Sequence, residues 1–379
     1  MQFSELKLSD SILNILVEQN CLEPYPIQEV SIPAILIKKD VLGIAPTGSG
    51  KTIGYALPIL MNLQKSAVLK NRHVNVLILV PTRELAIQVH EVFSIYGKGM
   101  MNSVKSFAVF GGVSINPQMI GLQNVNILIA TPGRLIELVE SNAVHLSDIE
   151  TLVLDEADKM LDLGFKVEMD KIISWLPKMR QNLLFSATLN EDINAIHQIL
   201  LHNPVVIKIE REEENIDLIQ QTAYFIDEER KGPLLRFLIK KADLKQILVF
   251  TSSTYKADHV ADKLRKNGVD AQAIHSKKSQ GARTEALRNF KEGRIQVLVA
   301  TDLISRGIDI KFLPFVINYE LPRSPKDYIH RIGRTGRAET SGEAISLISL
   351  DEQHHFKIIQ KKMKKKVELL DGEEMMSVK

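Results

Sequence analysis

The chain has a single cysteine, Cys21, a single tryptophan, Trp175, and only 6% aromatic residues. One cysteine excludes an internal disulfide and a thiolate zinc site, and it points to a reducing compartment, the cytoplasm. His73, His90, His145, His197, His202 and His259 fall at no metal-ligand spacing, and the adjacent His354 and His355 read as surface residues. Aromatics this sparse, and not interleaved with basic residues, exclude a stacking platform of the single-strand-binding kind. Phe165 and Trp175, in "GFKVEMDKIISWLP", have the helical spacing of core residues. Charge of one sign is also lacking: the formal net charge is +2, so a polyanion could be met only by a local patch. No apolar run is long enough to cross a bilayer, and "MQFSELKLSD" has no basic segment leading into an apolar stretch, so neither a membrane nor a secretory signal is predicted.

What is present is a rhythm of short apolar, β-rich runs, each closing on small or polar residues and leading into a helical pattern. In the first half these are "VLGIAPTGSGKT", "VLILVPTREL", "VNILIATPGR", "TLVLDEADKM" and "NLLFSATL". Continuous apolar strands alternating with helices are the pattern of a parallel sheet covered on both faces, so the fold class is α/β and doubly wound. The rhythm restarts after residue 220 with "QILVFTSS", "DAQAIHSKK", "IQVLVATDL" and "FVINYELP". At 379 residues the chain exceeds the usual size of one domain. Two domains of the same class are predicted, residues 1–208 and 221–379, joined by a linker at 209–220 within the charged, aperiodic "KIEREEENIDLIQQ".

In open parallel sheets ligands collect beyond the carboxyl ends of the strands, where each of these polar clusters falls. "APTGSGKT", Ala45 to Thr52, fits G-x-x-x-x-G-K-[ST] with Ala45 at the first glycine's position. It follows a strand and opens a helix, the setting of a phosphate loop and not of a bare glycine-rich turn. Thr47, Gly48, Ser49 and Gly50 supply backbone N–H groups to phosphates, Lys51 reaches the β and γ oxygens, and the Thr52 hydroxyl suits Mg2+. "VLDEAD" closes another strand: Asp155 is placed to hold Mg2+, directly or through water, and Glu156 to serve as base or orienter for an attacking water. Alone, this would read as a solvated acidic turn; beside a phosphate loop it reads as catalytic.

With the phosphate loop and "DEAD" at Asp155 to Asp158, the chain resembles the DEAD-box RNA helicases of superfamily 2. The likeness spans nearly the whole chain in family order: "PTREL", "GG" at Gly111 and Gly112, "TPGR", "SAT", "ATDLISRGID" and "HRIGRTGR". No single motif decides; the ordered set does. "FGGVSINPQM" and "HSKKSQGART" further resemble the bacterial RhlE-like branch. The resemblance implies two tandem RecA-like domains on a flexible linker, with ATP and Mg2+ as cofactors and RNA, single-stranded or a short duplex, held by sequence-independent contacts. On this pattern Ser186 and Thr188 would couple hydrolysis to RNA through Asp158, and Asp309 would contact the ribose. Pro81, Thr82, Arg83, Gly111, Gly112, Thr131, Gly133 and Arg134 would hold RNA in the first domain, and Gln280, Arg283, Thr301 and Asp302 in the second. Such residues offer N–H and hydroxyl groups to phosphate and 2′-OH.

Of the three arginines in "HRIGRTGR", Arg334 and Arg337 would be arginine fingers with His330 near the attacking water, and Arg331 an interdomain or scaffold contact. The adenine-reading motif departs from the family pattern. Gln28 and Pro24 are kept and Phe3 stands at the upstream aromatic position, but Asn20, Cys21 and Tyr25 replace a glycine, an aromatic and a small hydroxyl residue. Weaker ATP binding than in Cys21→Phe or Cys21→Tyr variants is the expectation. The lysine-rich tail from Lys357 reads as a solvated helix end, with an auxiliary RNA contact as the alternative. Two other functions remain open: an ATP-gated RNA clamp with slow turnover in a ribonucleoprotein or RNA-decay assembly, and a DNA translocase on the same fold. A monomer is expected, with ribosome-assembly or RNA-decay proteins as partners.

Overall fold

The computed structural model describes residues 1–46, 48–63, 71–99, 104–209, 219–241, 244–302, 313–335 and 342–377. The chain divides into two units, Met1–Arg211 and Glu212–Lys379. The first is built on strands β1 (Val41–Ile44), β2 (Val76–Leu79), β3 (Ser106–Val109), β4 (Ile127–Ala130), β5 (Thr151–Leu154), β6 (Gln181–Ser186) and β7 (Val205–Lys208), in the sheet order β3-β4-β2-β5-β6-β1-β7. All of its pairings are parallel.

Successive side chains of a strand point to opposite faces, and this alternation divides the first core in two. Val76 and Ile78 of β2, Ile127 and Ile129 of β4, and Leu183 and Phe185 of β6 enter one hydrophobic cluster. Leu77, Leu79, Leu128, Ala130 and Leu184 enter the other. Strands that must be apolar on both faces explain the continuous runs in the sequence, and each fully buried aliphatic side chain contributes about 1.5–3 kcal/mol. Phe165 and Trp175 pack at the edge of the second cluster.

The second unit is built on β8 (Ile219–Phe225), β9 (Ile247–Thr251), β10 (Ala271–Ile274), β11 (Val297–Thr301), β12 (Phe315–Asn318), β13 (Gly342–Ile348) and β14 (Leu369–Asp371). Their order, β10-β11-β9-β12-β13-β8-β14, repeats the first sheet strand for strand. The expected linker 209–220 is trimmed at both ends: Ile209 N donates to Ile44 O, and Ile219 and Gln220 already pair with Gly342 and Glu343. Residues 210–218 lie outside the described ones. The lysine-rich tail is more than a solvated helix end. In helix Gln353–Met363, Ile359 and Met363 are buried, and the chain then returns as β14 beside β8. Lys357, Lys361, Lys362, Lys364 and Lys366 remain exposed.

Candidate functional site

In the first sheet β5, β6 and β1 lie side by side and deliver the predicted nucleotide residues at their carboxyl ends. The loop after β1 turns through Gly48 and Gly50, with φ of 84° and 85°, into helix Lys51–Leu63. Besides that left-handed φ, Gly50 faces a wall: a Cβ there would collide with the Gln28 amide and stand 2.8 Å from the Tyr25 ring. Gln28, 1% exposed, donates from Nε2 to Gly50 O at 3.0 Å and accepts Tyr25 N at 2.9 Å. The glutamine expected to read adenine thus also braces the phosphate loop.

Lys51 is buried and donates to the carbonyls of Ala45, at 2.6 Å, and Pro46, at 3.4 Å. Burial pulls its pKa below the ordinary lysine value, while Asp155, Glu156 and Asp158 pull it back up. Asp155 is 2% exposed, and burial pushes its carboxyl up to about 6 against the opposing charge of Lys51. Its Oδ1 accepts Glu156 N at 2.9 Å and its Oδ2 the Tyr55 hydroxyl at 2.8 Å. Glu156 sits in the left-handed region, φ 52° and ψ 47°, an uncommon conformation for a residue with a side chain. Its Oε1 pairs with Lys159 at 2.8 Å, and its buried Oε2 has no partner among the described residues. Thr188 Oγ1 donates to Asp158 Oδ2 at 3.1 Å; Ser186 Oγ instead donates to Thr188 O at 2.8 Å. The predicted coupling trio is therefore contiguous, with Thr188 as its middle member.

Two predicted nucleotide residues have other surroundings. Phe3 is 5% exposed and packs among aliphatic side chains of the first cluster. The half-buried Cys21 packs against the same cluster, with its Sγ 3.7 Å from Tyr96 Oη. Thr47 lies outside the described residues.

The neighbouring strands β2, β4 and β3 carry the first unit's predicted RNA residues, again at their carboxyl ends. Thr82 caps helix Arg83–Tyr96 by accepting Leu85 N at 3.3 Å, and Thr131 is the N-cap residue of helix Pro132–Glu140. Gly112, at φ 74°, lets the Arg83 guanidinium lie where a Cβ would be. Arg134 is buried, donates from Nη2 to Val113 O at 2.8 Å and pairs with Glu137 at 2.8 Å. Three segments far apart in sequence are thereby tied along one edge, with Gly111 and Gly133 open beside them.

In the second unit Gln280 opens helix Gln280–Lys291, whose cap Ser279 accepts Ala282 N at 3.3 Å; Arg283 and Thr301 are buried. Asp302 is bound at both oxygens by Arg331, from Nε at 2.6 Å and Nη2 at 2.8 Å. Arg331, 2% exposed, also donates to Asn318 Oδ1 at 3.0 Å and Glu320 O at 2.6 Å, and its guanidinium lies 4.8 Å from the centre of the Phe250 ring. Of its two alternatives, scaffold is the role these bonds describe. His330 and Arg334 are half-buried at the end of helix Pro325–Ile332. Asp309 and Arg337 lie outside the described residues.

Residues 25–196 match the DEAD/DEAH box helicase family and residues 230–339 the helicase conserved C-terminal domain. The ATP-dependent RNA helicase CshA of Listeria monocytogenes is 38% identical, over 98% of this chain and 70% of its own length. The DEAD-box ATP-dependent RNA helicase CshA of Geobacillus kaustophilus is 37% identical, over 97% and 77%. The chain belongs to the DEAD-box ATP-dependent RNA helicases. Among solved structures, S. cerevisiae Dbp5 bound to RNA and ADP BeF3 covers 97% of this helicase and 95% of its own chain, with TM-score 0.80 and 29% identity. A DEAD box protein from Methanococcus jannaschii covers 98% and 99%, with TM-score 0.54 and 36% identity. This helicase therefore hydrolyses ATP and acts on RNA. These relatives do not bear the RhlE name, so the finer branch does not follow from them.

One residue of the nucleotide site escaped the sequence reading. Tyr55 stands three positions after Thr52 on the same helical face, and that spacing is the signal that could have found it.

Proposed function

We propose that this helicase couples ATP hydrolysis to RNA by closing its two units, opening short duplexes locally and remodelling ribonucleoprotein without long translocation. The observation that carries this reading is the division of parts: the phosphate loop, Asp155 and Glu156 belong to the first unit, Arg334 and Arg337 to the second. Nucleotide held by the first unit alone lacks the guanidinium charges that phosphoryl transfer uses. RNA gripped by both units favours the closed form that supplies them.

Thr52 and Asp155 would hold Mg2+. Hydroxyl and carboxylate oxygens suit a hard cation, and one carboxylate leaves room for phosphates and water. Among the described residues no group of three or more His, Cys, Asp or Glu forms a cage of protein ligands alone, which fits a cation that arrives with its nucleotide. When bound, Mg2+ neutralises charge on the β- and γ-phosphates. Lys51 exchanges the carbonyls of Ala45 and Pro46 for phosphate oxygens. The Oε2 of Glu156, without a partner among the described residues, accepts a hydrogen from the attacking water. Thr82, Arg83, Gly111, Gly112, Thr131, Gly133 and Arg134, with Gln280, Arg283 and Thr301, hold RNA by backbone and hydroxyl contacts, and Thr188 relays that contact to Asp158.

Steady-state ATPase with and without RNA tests the reading. RNA should raise the wild-type rate and Glu156→Gln should abolish that rise, while Arg334→Ala and Arg337→Ala keep nucleotide binding and lose about 10³-fold or more in RNA-stimulated turnover. A wild-type rate indifferent to RNA, or full turnover in the arginine variants, would overturn it.

A further inference from the structure

The hydroxyl of Tyr55 stands behind Asp155, one of the two residues assigned to the cation. Its ring is fully enclosed, with centroids 5.3 Å from Phe185 and 6.4 Å from Phe93, so the phenol cannot swing away. Its Oη donates to Asp155 Oδ2 at 2.8 Å. A phenol has one proton, and Asp155 receives it. The Asp155 carboxylate has a donor on each oxygen, Tyr55 on Oδ2 and Glu156 N on Oδ1, which fixes its plane.

We propose that Tyr55 is a positioning residue of the metal–nucleotide site, orienting the Asp155 carboxylate for a divalent cation. This rests on the reading of Thr52 and Asp155 as the Mg2+-binding pair. Phenylalanine would keep the volume and the ring contacts, but it would leave Asp155 Oδ2 buried without that donor. Partners behind metal ligands typically change metal affinity by about 10- to 100-fold when removed.

The test is equilibrium binding of a fluorescent ADP to the full chain, titrated with Mg2+ and repeated in EDTA, for wild type, Tyr55→Phe and Asp155→Asn. For Tyr55→Phe the half-saturating Mg2+ concentration should rise about tenfold, affinity in EDTA should match wild type, and excess Mg2+ should restore the wild-type affinity. A loss of equal size with and without Mg2+ would mark mere packing and overturn the proposal. A wild-type Mg2+ titration for Tyr55→Phe beside a shifted one for Asp155→Asn would overturn it while sparing the metal assignment. No shift in either variant would remove the metal assignment and the proposal with it.

Discussion

Replacing Arg331 by methionine should lower the melting temperature of the second unit and leave the first unchanged. Its guanidinium donates twice to Asp302, once to Asn318 Oδ1 and once to Glu320 O. Methionine fills much of the stem's volume but supplies no donor, so the Asp302 carboxylate loses this two-pronged charged partner and two further acceptors lose a donor. Breaking one side of a buried ion pair costs about 3–5 kcal/mol. Asp302 is 31% exposed, so water can reach it, and the loss belongs at the low end, about 3 kcal/mol. In a domain of this size that is roughly 6–12 °C. The lone Trp175 lies in the first unit, so its fluorescence follows that unit while far-UV circular dichroism follows both. The dichroism transition should begin earlier in Arg331→Met, and the fluorescence transition should stay in place. Arg331→Lys, which keeps the charge but not the two-pronged geometry, should fall between. Wild-type melting with loss of ATP turnover alone would refute the scaffold role and move Arg331 beside Arg334 and Arg337.

Thr188→Val removes the hydroxyl that reaches Asp158 at nearly constant shape, and a hydrogen bond to a charged group is worth about 1.5–3 kcal/mol. Duplex opened per ATP consumed should fall about tenfold with RNA-stimulated hydrolysis largely kept; equal losses in both would argue against a coupling role. Glu352 supplies the pH dependence. Burial alone would raise its pKa, but Lys231 at 2.5 Å and the N–H groups of Leu321 and Ser349 outweigh burial and hold it below its ordinary 4.5. A depressed acid gives stability that is present above the unfolded value and lost as pH falls through the folded one. Acid melts of the second unit should therefore weaken below about pH 4.5, and Glu352→Gln should flatten that limb and cost about 1.5–3 kcal/mol at neutral pH. An acid limb of undiminished slope in the variant would assign it to other carboxylates.

Legibility in the sequence followed burial. The runs read as strands became β1, β2, β4, β5 and β6 in the first sheet, all of them interior, and all but β1 have four or more consecutive buried residues. The unread β3 and β7 are its edges, with half of their residues or fewer buried, so their apolar signal is thin. The predicted linker 209–220 reaches into β8 at Ile219 and Gln220 because they continue a charged run without core periodicity, although the ladder of β8 to β13 runs the full length of both strands. The phosphate loop and Asp155 were legible because their spacing is local. Tyr55 was not, and Arg331 was legible only as an interdomain or scaffold contact, because their partners, Asp155 and Asp302, are brought to them by folding alone.

The repeated strand order sets two lysines in equivalent places. In each sheet the strand beside the far edge strand, β1 or β8, leads into a helix that opens on a buried lysine, Lys51 or Lys231. In the first unit Gly48 and Gly50 wrap the approach, and Lys51 rests on the loop's own carbonyls, neutral groups that a phosphate can displace. In the second unit Lys231 is held by Glu352 at 2.5 Å and Glu228 at 3.0 Å. A phosphate there would have to displace two carboxylates and leave them facing its own charge. The same position in the same topology is thus open to an anion in one unit and closed by the protein's own anions in the other. On the proposed reading the second unit is left to contribute RNA contacts and arginines, an asymmetry under which hydrolysis would depend on both.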